Sequence, residues 1–368
     1  LVLLVSGGLS IYTNNLNMVR QVISGSHMTS FYKLEHASQA LLLWGMNLVG
    51  ADGDTWRKHR CIMGPVFSNS LYEYVWNESI QTFKEMVSSD RWLNKKSVEV
   101  PAIQYTLFII GKCAFSLPFT WSKLSTALDG TMSLQEVLHL SNDMFLMRVL
   151  TPKWTFKLPI TSLRRAKQAN NQLLGFMQQQ IEERRQEVRN GMIKRDDVFM
   201  RLVQVNEDEE SKYRLVDDKL MGSFNLIGNI FVMLFTGHED TILTIPNKDG
   251  IESTRMIPVS KDRENCLLEY NPHYFDELGK FKPLRWYGVP ANSEMFTAFS
   301  IRPRVCLGRK FSMTESIVFL TLLLRDWRVE PLLSAGETRE QWGERVLNTE
   351  FKITFSMASM PIQLMRQD

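Results

Sequence analysis

The sequence predicts a mainly helical α+β protein, in which a large helical part carries a small strand-rich region. Three patterns predict this class. Helix-like amphipathic sequence extends from Tyr72 to Met200, two short apolar runs (Leu1–Val5 and Leu9–Tyr12) surround a Gly7–Gly8 turn, and strand-like segments with turns follow Pro246. With 368 residues, 44% of them apolar, the chain is long enough to bury a large core.

A helix is predicted to begin near Asp52 and Asp54, where acidic residues precede the basic run Trp56–Arg60. Trp56 and Arg60 are four positions apart, so an indole ring and a guanidinium group share one face of this helix.

The helix-like middle of the chain is divided by Pro101, Pro118 and a loop from Pro152 to Pro159. Its most highly charged stretch, Glu182 to Arg189, is interpreted as a solvated helix face, because runs of mixed charge are typical of exposed helix surfaces.

A long helix is predicted from about Asp217 to Leu243, with an apolar segment from Leu226 to Phe235. Asn225 and Asn229 interrupt the apolar run, which favours a buried central helix over a membrane span. The same segment supports one alternative from another class, a helical membrane or interaction protein.

Helix is expected to return only after Gly308, with an apolar helix over Phe311 to Leu324. The sequence has no internal repeat, no low-complexity tract and no linker. Residues 1–368 are therefore expected to form a single domain.

The charge balance and the cysteines exclude several classes of protein. The formal charge of +3, from 43 basic and 40 acidic residues, disfavours nucleic acid as a partner. It is compatible with a mildly basic face that binds an acidic redox partner.

The four cysteines contain no C-x-x-C pair, which argues against zinc ribbons, iron-sulfur sites and disulfide scaffolds and favours a reducing compartment. The first residue is Leu1, so we expect the true start and any membrane anchor to be missing.

The segment from Phe299 to Gly308 carries the main chemical signal, because it places Cys306 on a loop just before the predicted apolar helix. A helix N-terminus presents unpaired N–H groups and a positive dipole end, which favour the thiolate. A thiolate is a strongly electron-donating axial ligand for haem iron. The alternative for any single cysteine is a buried structural thiol.

Four residues of this segment, Phe299, Arg304, Cys306 and Gly308, resemble the cytochrome P-450 signature F-x-x-G-x-R-x-C-x-G. The resemblance implies that Cys306 is the iron ligand, that Phe299 packs near the thiolate, that Arg304 pairs with a haem propionate, and that Gly308 lets the next helix approach the porphyrin. Arg302 departs from the pattern, because the family has glycine there. We expect its side chain to strain a turn that glycine permits.

The helix containing Trp56 and Arg60 resembles the W-x-x-x-R helix of the same family, which implies that both residues contact a haem propionate. Arg57 and Lys58 are ordinary surface residues or face a reductase.

Thr236–Thr241 resembles the family's [AG]-G-x-[DE]-T-[ST] stretch in the distal helix. The resemblance implies that Gly237 makes room for dioxygen and that Glu239, Asp240 and Thr241 relay protons. Asp240 stands where the family has threonine, so altered proton delivery is expected.

Phe281–Trp286 resembles the family's F-x-P-x-R-[FW] element, whose arginine, here Arg285, joins a buried network with an E-x-x-R helix. No convincing E-x-x-R helix is present: Glu182 to Arg185 precedes the distal helix, and Glu252 to Arg255 lies in turn-like sequence. We therefore expect internal deletions near residues 242–246 and 260–271.

The resemblance is closest to fungal microsomal members. It implies a cytochrome P-450 fold, b-type haem (iron protoporphyrin IX), a small apolar substrate, and electrons from NADPH through a cytochrome P-450 reductase. It further implies the cytoplasmic face of the endoplasmic reticulum membrane as the location of a full-length relative. The alternative is an inactive or haem-poor remnant.

Overall fold

The structure, a computed structural model, describes the following parts of the chain: residues 2–5, 8–11, 15–25, 42, 44–89, 92, 95–100, 105–117, 119, 121, 132–143, 153–193, 197–207, 226–234, 273–274, 276, 283–290, 293–346, 349–351, 355–357 and 361–367.

The described α-helices run along most of the chain and differ widely in length. In order they are α1 (Leu16–Gly25), α2 (Gly53–Met63), α3 (Asn69–Ser89), α4 (Tyr105–Phe115), α5 (Leu134–Asp143), α6 (Thr161–Arg189), α7 (Val198–Glu207), α8 (helical residues 226–234), α9 (Arg309–Asp326) and α10 (Arg339–Val346). Short 3-10 turns occur at Gly64–Val66, Lys153–Lys157, Pro283–Trp286 and Arg302–Arg304.

The described strands form three small antiparallel sheets. The strands are β1 (Val2–Val5), β2 (Gly8–Ile11), β3 (Ser97–Val100), β4 (Trp327–Pro331), β5 (Thr349–Phe351), β6 (Phe355–Met357) and β7 (Ile362–Arg366). β1 pairs with β2 and β5 with β6, while β7 lies between β3 and β4. Leu364 of β7 stands opposite both Val98 and Val329, and its side chain is buried.

The core forms where α3, α4 and α9 meet. The buried positions of α3 include Leu71, Val75 and Phe83, which recur at the spacing of one helix face. Phe319 of α9 packs against this face, with its ring 5.9 Å from that of Phe83 and 4.6 Å from that of Tyr105 on α4. This packing fixes α9, whose N-terminus follows the Cys306 loop.

The charged stretch of α6 differs most from the sequence prediction at Arg184. Arg184 is fully buried rather than solvated. Its guanidinium donates to Asp197 Oδ2 at 3.1 Å and to the carbonyl of Phe115 at 2.7 Å, and it lies 4.2 Å from the centre of the Phe199 ring. A buried arginine is retained when a carboxylate and further acceptors satisfy it, and Asp197, which also caps α7, supplies that partner here.

Several predicted elements are confirmed. The β1–β2 hairpin, the helix beginning after Asp52 and the helix after Gly308 all form. The buried character of the long helix is confirmed for residues 226–234, whereas its remainder and residues 246–271 lie outside the described part of the chain. Among the described helices, none is both long enough and apolar enough to cross a membrane.

Candidate active site

The loop that carries Cys306 is shaped by two residues with left-handed backbone. Ser300 has φ 59° and Arg302 has φ 54°. The turn brings the chain back on itself, so that the Cys306 N–H donates to the carbonyl of Phe299 at 2.8 Å. The turn expected of glycine at position 302 is therefore present, with arginine in it.

Cys306 lies at the start of α9. Gly308 is the N-cap of this helix, and its carbonyl accepts the N–H of Ser312 at 2.8 Å. The side chain of Cys306 is exposed. A Cβ atom placed on Gly308 would lie 3.7 Å from Cys306 Sγ and near no other atom beyond its chain neighbours in the described structure. The absence of a side chain at Gly308 thus leaves space beside the sulfur.

A cluster of aromatic rings packs against the residues that precede Cys306 in the loop. The ring of Phe299 lies 6.0 Å from that of Phe296, which in turn lies 5.4 Å from Trp286. The guanidinium of Arg309 lies 5.7 Å from the centre of the Phe296 ring and 5.9 Å from that of Phe299. The sequence analysis did not predict a role for Phe296. The one signal for it was its position three residues before Phe299.

Arg304 joins the loop to α2. It donates to Asp52 Oδ1 at 2.7 Å and to the carbonyl of Ala51 at 3.1 Å. Its guanidinium also lies 4.3 Å from the centre of the Trp56 ring, at cation–π distance. The carboxylate of Asp52, which precedes α2, therefore binds Arg304 instead of capping the helix.

Arg60 lies on the same side of α2 and reaches the same loop. It donates to the carbonyl of Val305, next to Cys306, at 2.6 Å. Burial lowers the pKa of Arg60, the charge of Cys306 opposes that shift, and Arg304 adds to it. Within the described residues no carboxylate pairs with Arg60. A half-buried cation of this kind favours an anionic ligand.

His59, also on α2, connects this helix to α8. Asn229 Oδ1 accepts the N–H of Leu48 at 2.9 Å, so its amide nitrogen faces His59 Nδ1, 2.8 Å away. The amide nitrogen is a donor, and His59 Nδ1 must accept, which requires a neutral ring. Burial, assisted by the charge of Lys58, lowers the pKa of His59 to about 4. The sequence offered no signal for this pair.

The backbone of α8 approaches the segment before α2 closely. A Cβ atom on Gly228 would lie 2.7 Å from the carbonyl oxygen of Gly45 and 2.9 Å from that of Met46. Glycine is therefore required at this contact, and α8 is held against the same segment that leads into the Arg304 contacts.

The structure thus brings together the sequence-predicted residues Trp56, Arg60, Phe299, Arg304, Cys306 and Gly308. The distal residues Gly237, Glu239, Asp240 and Thr241 lie outside the described part of the chain. Arg285 is described, and it donates to the main-chain oxygen of Asp276 at 3.1 Å. Arg185, from the Glu182–Arg185 string, pairs with Glu207 at 2.8 Å.

The sequence model of the cytochrome P-450 family matches residues 8–247 and 266–357, which together span most of the chain. The chain belongs to the cytochrome P-450 family.

Relatives and a solved structure agree with this assignment. Cytochrome P-450 monooxygenase 124 of Postia placenta is 29% identical over 412 aligned residues, covering 89% of this chain and 78% of its own length. A cytochrome P-450 monooxygenase of Arthrobotrys oligospora is 19% identical, covering 92% of this chain and 78% of its own. A zebrafish cytochrome P-450 solved with progesterone has the same fold, with a TM-score of 0.62 and 12% identity, covering 99% of this chain and 96% of that one.

Family membership makes the chain an oxidoreductase of the cytochrome P-450 type, a haem-thiolate monooxygenase with haem as its cofactor. The described residues fit such a cofactor. An exposed sulfur, a half-buried arginine without an acidic partner in the described structure, and the space at Gly308 lie together. Arg304 is the one departure, because Asp52 already pairs with it.

Proposed function

We propose that this chain inserts one oxygen atom of dioxygen into a small apolar organic substrate, with Cys306 as the iron ligand. One observation carries the proposal: Arg60, a half-buried cation with no acidic partner among the described residues, binds the carbonyl next to the exposed Cys306. The bound iron protoporphyrin IX supplies the oxidising chemistry, while the chain supplies the ligand, the anion clamp and a dry environment.

The proposed clamp for the haem propionates consists of Arg60 and Arg304 with Trp56. Fixed guanidinium groups suit carboxylates, because they donate along a planar fork. Asp52 holds the Arg304 side chain in place at 2.7 Å. Because a guanidinium has five donors, Arg304 would still have donors for a propionate. Phe299 supports the thiolate from the aromatic cluster, and Gly308 leaves the porphyrin room.

On the distal side we propose Gly237 as the residue that makes room for dioxygen, and Glu239, Asp240 and Thr241 as the proton relay. The support is the resemblance of Thr236–Thr241 to the family stretch and its place just beyond α8. The described residues of α8 carry no charged side chain, which is consistent with an apolar substrate.

The proposed electron source is NADPH, acting through an acidic cytochrome P-450 reductase. The outer side of α2 supports this partner. Arg57 is exposed there and pairs with Asp54 at 2.6 Å, and Lys58 follows it in the sequence. Lys310 extends the basic character to the start of α9, where it binds Asn69 at 3.0 Å. Charge of one sign near the Cys306 loop steers an oppositely charged partner.

We also propose that a full-length relative of this chain acts at the cytoplasmic face of the endoplasmic reticulum membrane, while this chain by itself is soluble or of unassigned location. Trp154, Leu158 and Ile160, which precede or adjoin the start of α6, have exposed apolar side chains. The same stretch of the sequence contains Lys153 and Lys157. Exposed apolar residues flanked by lysines suit the boundary between lipid headgroups and acyl chains.

A haem-poor remnant is the second candidate, and the alignments support it. The match to the family is interrupted at residues 248–265, and the Postia relative needs 412 aligned positions against a chain of 368. Internal deletions near residues 242–246 and 260–271 would account for the longer alignment, and the sequence that this chain has at 248–265 finds no counterpart in the family model. Such deletions would remove the E-x-x-R helix that supports the family's cysteine loop.

Spectroscopy of the purified, haem-reconstituted protein tests the proposal. We expect a ferrous carbon monoxide complex with the absorption of thiolate-ligated iron, and we expect Cys306→Ala to abolish it. Cys61→Ala is the matched control, because Cys61 is also exposed but lies on α2 outside the loop. Retention of the thiolate spectrum in Cys306→Ala would disprove the ligand assignment. Failure of the parent chain to bind haem would favour the remnant.

A further inference from the structure

Arg302 stands in backbone geometry that disfavours every residue with a Cβ atom. Its φ of 54° lies in the left-handed region, where Cβ crowds the following carbonyl oxygen. An arginine persists there only when its surroundings hold it in place. The turn also matters for the site, because the carbonyl of Arg302 accepts the N–H of Val305 at 3.1 Å, directly before Cys306.

The side chain of Arg302 is held by Glu294. Arg302 Nε lies 2.8 Å from Glu294 Oε1, and the other carboxylate oxygen, Oε2, accepts from Arg20 Nε at 2.5 Å. One carboxylate therefore joins two arginines that are far apart in the sequence. Hydrogen bonds from Arg20 and then Arg302 lower the pKa of Glu294, so the group stays ionised at neutral pH.

α1 supplies the other end of this contact. Leu16 and Arg20 are one helical turn apart on the same face of α1. Leu16 packs against Ile301, the residue before Arg302, and both side chains are buried. An apolar contact and an ion pair thus fix the same short stretch of the loop to the same helix.

We propose that Glu294 is a positioning residue for Cys306, which holds the left-handed turn at Arg302 by bridging it to Arg20. Glycine would adopt this turn without help, whereas arginine needs the bridge. The proposal rests on the proposed function only in assigning Cys306 as the iron ligand, and its first test uses protein without haem.

Without Glu294, the two arginines repel each other and the turn relaxes toward negative φ. The Val305–Cys306 peptide then shifts, and so does the Val305 carbonyl that Arg60 binds at 2.6 Å. Both the accessibility of Cys306 Sγ and its direction toward a ligand change as a result.

The first experiment measures alkylation of Cys306 by iodoacetamide in the haem-free protein, by mass spectrometry, with Cys61 in the same molecule as the internal reference. We expect Glu294→Gln to change the ratio of the Cys306 alkylation rate to the Cys61 alkylation rate by at least about threefold. Glu337→Gln is the matched control, because Glu337 also pairs with an arginine, Arg345 at 2.7 Å, but lies beyond α9. We expect this control to leave the ratio unchanged.

The second experiment tests rescue. We expect Arg302→Gly, added to Glu294→Gln, to restore the parent ratio, because glycine removes the need for the bridge. A salt bridge with a merely structural role would not be rescued by glycine. If Glu294→Gln does not fold, Glu294→Asp replaces it with the same expectations at smaller amplitude. An unchanged ratio in the single variant, or no rescue in the double variant, overturns the proposal.

The haem-loaded protein gives a separate readout. We expect Glu294→Gln to reduce the thiolate-ligated fraction of the ferrous carbon monoxide complex and the double variant to recover it. If Cys306 is not the ligand, Cys306→Ala shows this independently, while the alkylation result still decides the role of Glu294.

Discussion

Arg304 and Arg60 approach the Cys306 loop from the same face and differ in their partners. Arg304 is held by Asp52, Ala51 and the Trp56 ring, whereas Arg60 contacts only the Val305 carbonyl among the described residues. Arg304 is therefore preorganised, and Arg60 retains the larger unsatisfied charge. Removal of either should weaken haem retention, for different reasons.

We expect Arg60→Ala and Arg304→Ala each to release haem about tenfold to a hundredfold faster. A hydrogen bond to a charged group contributes roughly 1.5 to 3 kcal/mol, and about 1.4 kcal/mol corresponds to a factor of ten. The measurement is transfer of haem to a scavenging apoprotein. Arg57→Ala on the same helix, where Arg57 is exposed and pairs with Asp54, should release haem at the parent rate. Unchanged retention in both arginine variants would count against the clamp.

The site residues that the sequence predicted belong to motifs, whereas the residues that it missed act through partners that only folding brings near. Cys306, Arg304, Trp56 and Arg60 were predicted because fixed motif spacing identifies them. Glu294 and Arg184 were not, because the role of a charged residue depends on which partner folding brings near it. Arg184 lies in a stretch that the sequence predicts to be solvated, and its burial depends on Asp197, across the α6–α7 connection, and on the carbonyl of Phe115.

At the scale of elements, α2 connects the two sides of the site. Its Arg60 reaches the Cys306 loop and its His59 reaches α8, so a shift of α2 moves both. Local patterns predicted α2, α9 and the β1–β2 hairpin, because caps, turns and periodicity are local signals. They did not predict the β3–β7–β4 sheet, in which Val98 and Leu364 pair although they are 266 positions apart in the sequence.

The α2–α8 contact should make stability depend on pH. The pKa of His59 is about 4 in the folded protein against 6.5 for an ordinary histidine, so the unfolded chain binds the proton more readily. Above pH 6.5 the two states carry the same charge at His59. Between pH 6.5 and 4 the stability contributed by this group falls, by about 2 kcal/mol from pH 7 to pH 5.

Urea unfolding at pH 7 and pH 5 measures this effect. In the parent, the free energy of unfolding should be lower at pH 5 than at pH 7. In His59→Gln this difference between the two pH values should be about 2 kcal/mol smaller, because the variant lacks the buried titratable group. His273→Gln, which replaces an exposed histidine, serves as the control and should keep the parent difference. An equal pH dependence in parent and His59→Gln would contradict the assignment.

At the scale of the whole molecule, the described half of the site, around Cys306, is supported by several elements. The Cys306 half is fixed by α1, α2, the aromatic cluster and α9 packed on α3. Arg285, which the family places against its E-x-x-R helix, here contacts the main chain of Asp276. The sequence predicts that the E-x-x-R helix, and with it the family's buried network, is absent. Removal of one partner from such a buried ion pair typically costs about 3 to 5 kcal/mol, a large part of the roughly 5 to 15 kcal/mol that stabilises a domain.

We therefore expect the chain as printed to load less haem, and to couple NADPH oxidation to oxygenation less well, than a version with family residues restored at 242–246 and 260–271. Arg302→Gly alone should not reproduce the gain, because Glu294 already holds Arg302 in the required turn. The variants are compared by haem content per chain and by product formed per NADPH with a reductase. A further variant, Asp240→Thr in the restored chain, distinguishes the effect of proton delivery from the effect of the restored helix. We expect it to raise the product formed per NADPH without changing the haem content. Full haem loading and tight coupling in the chain as printed would contradict the prediction that internal deletions weaken the site.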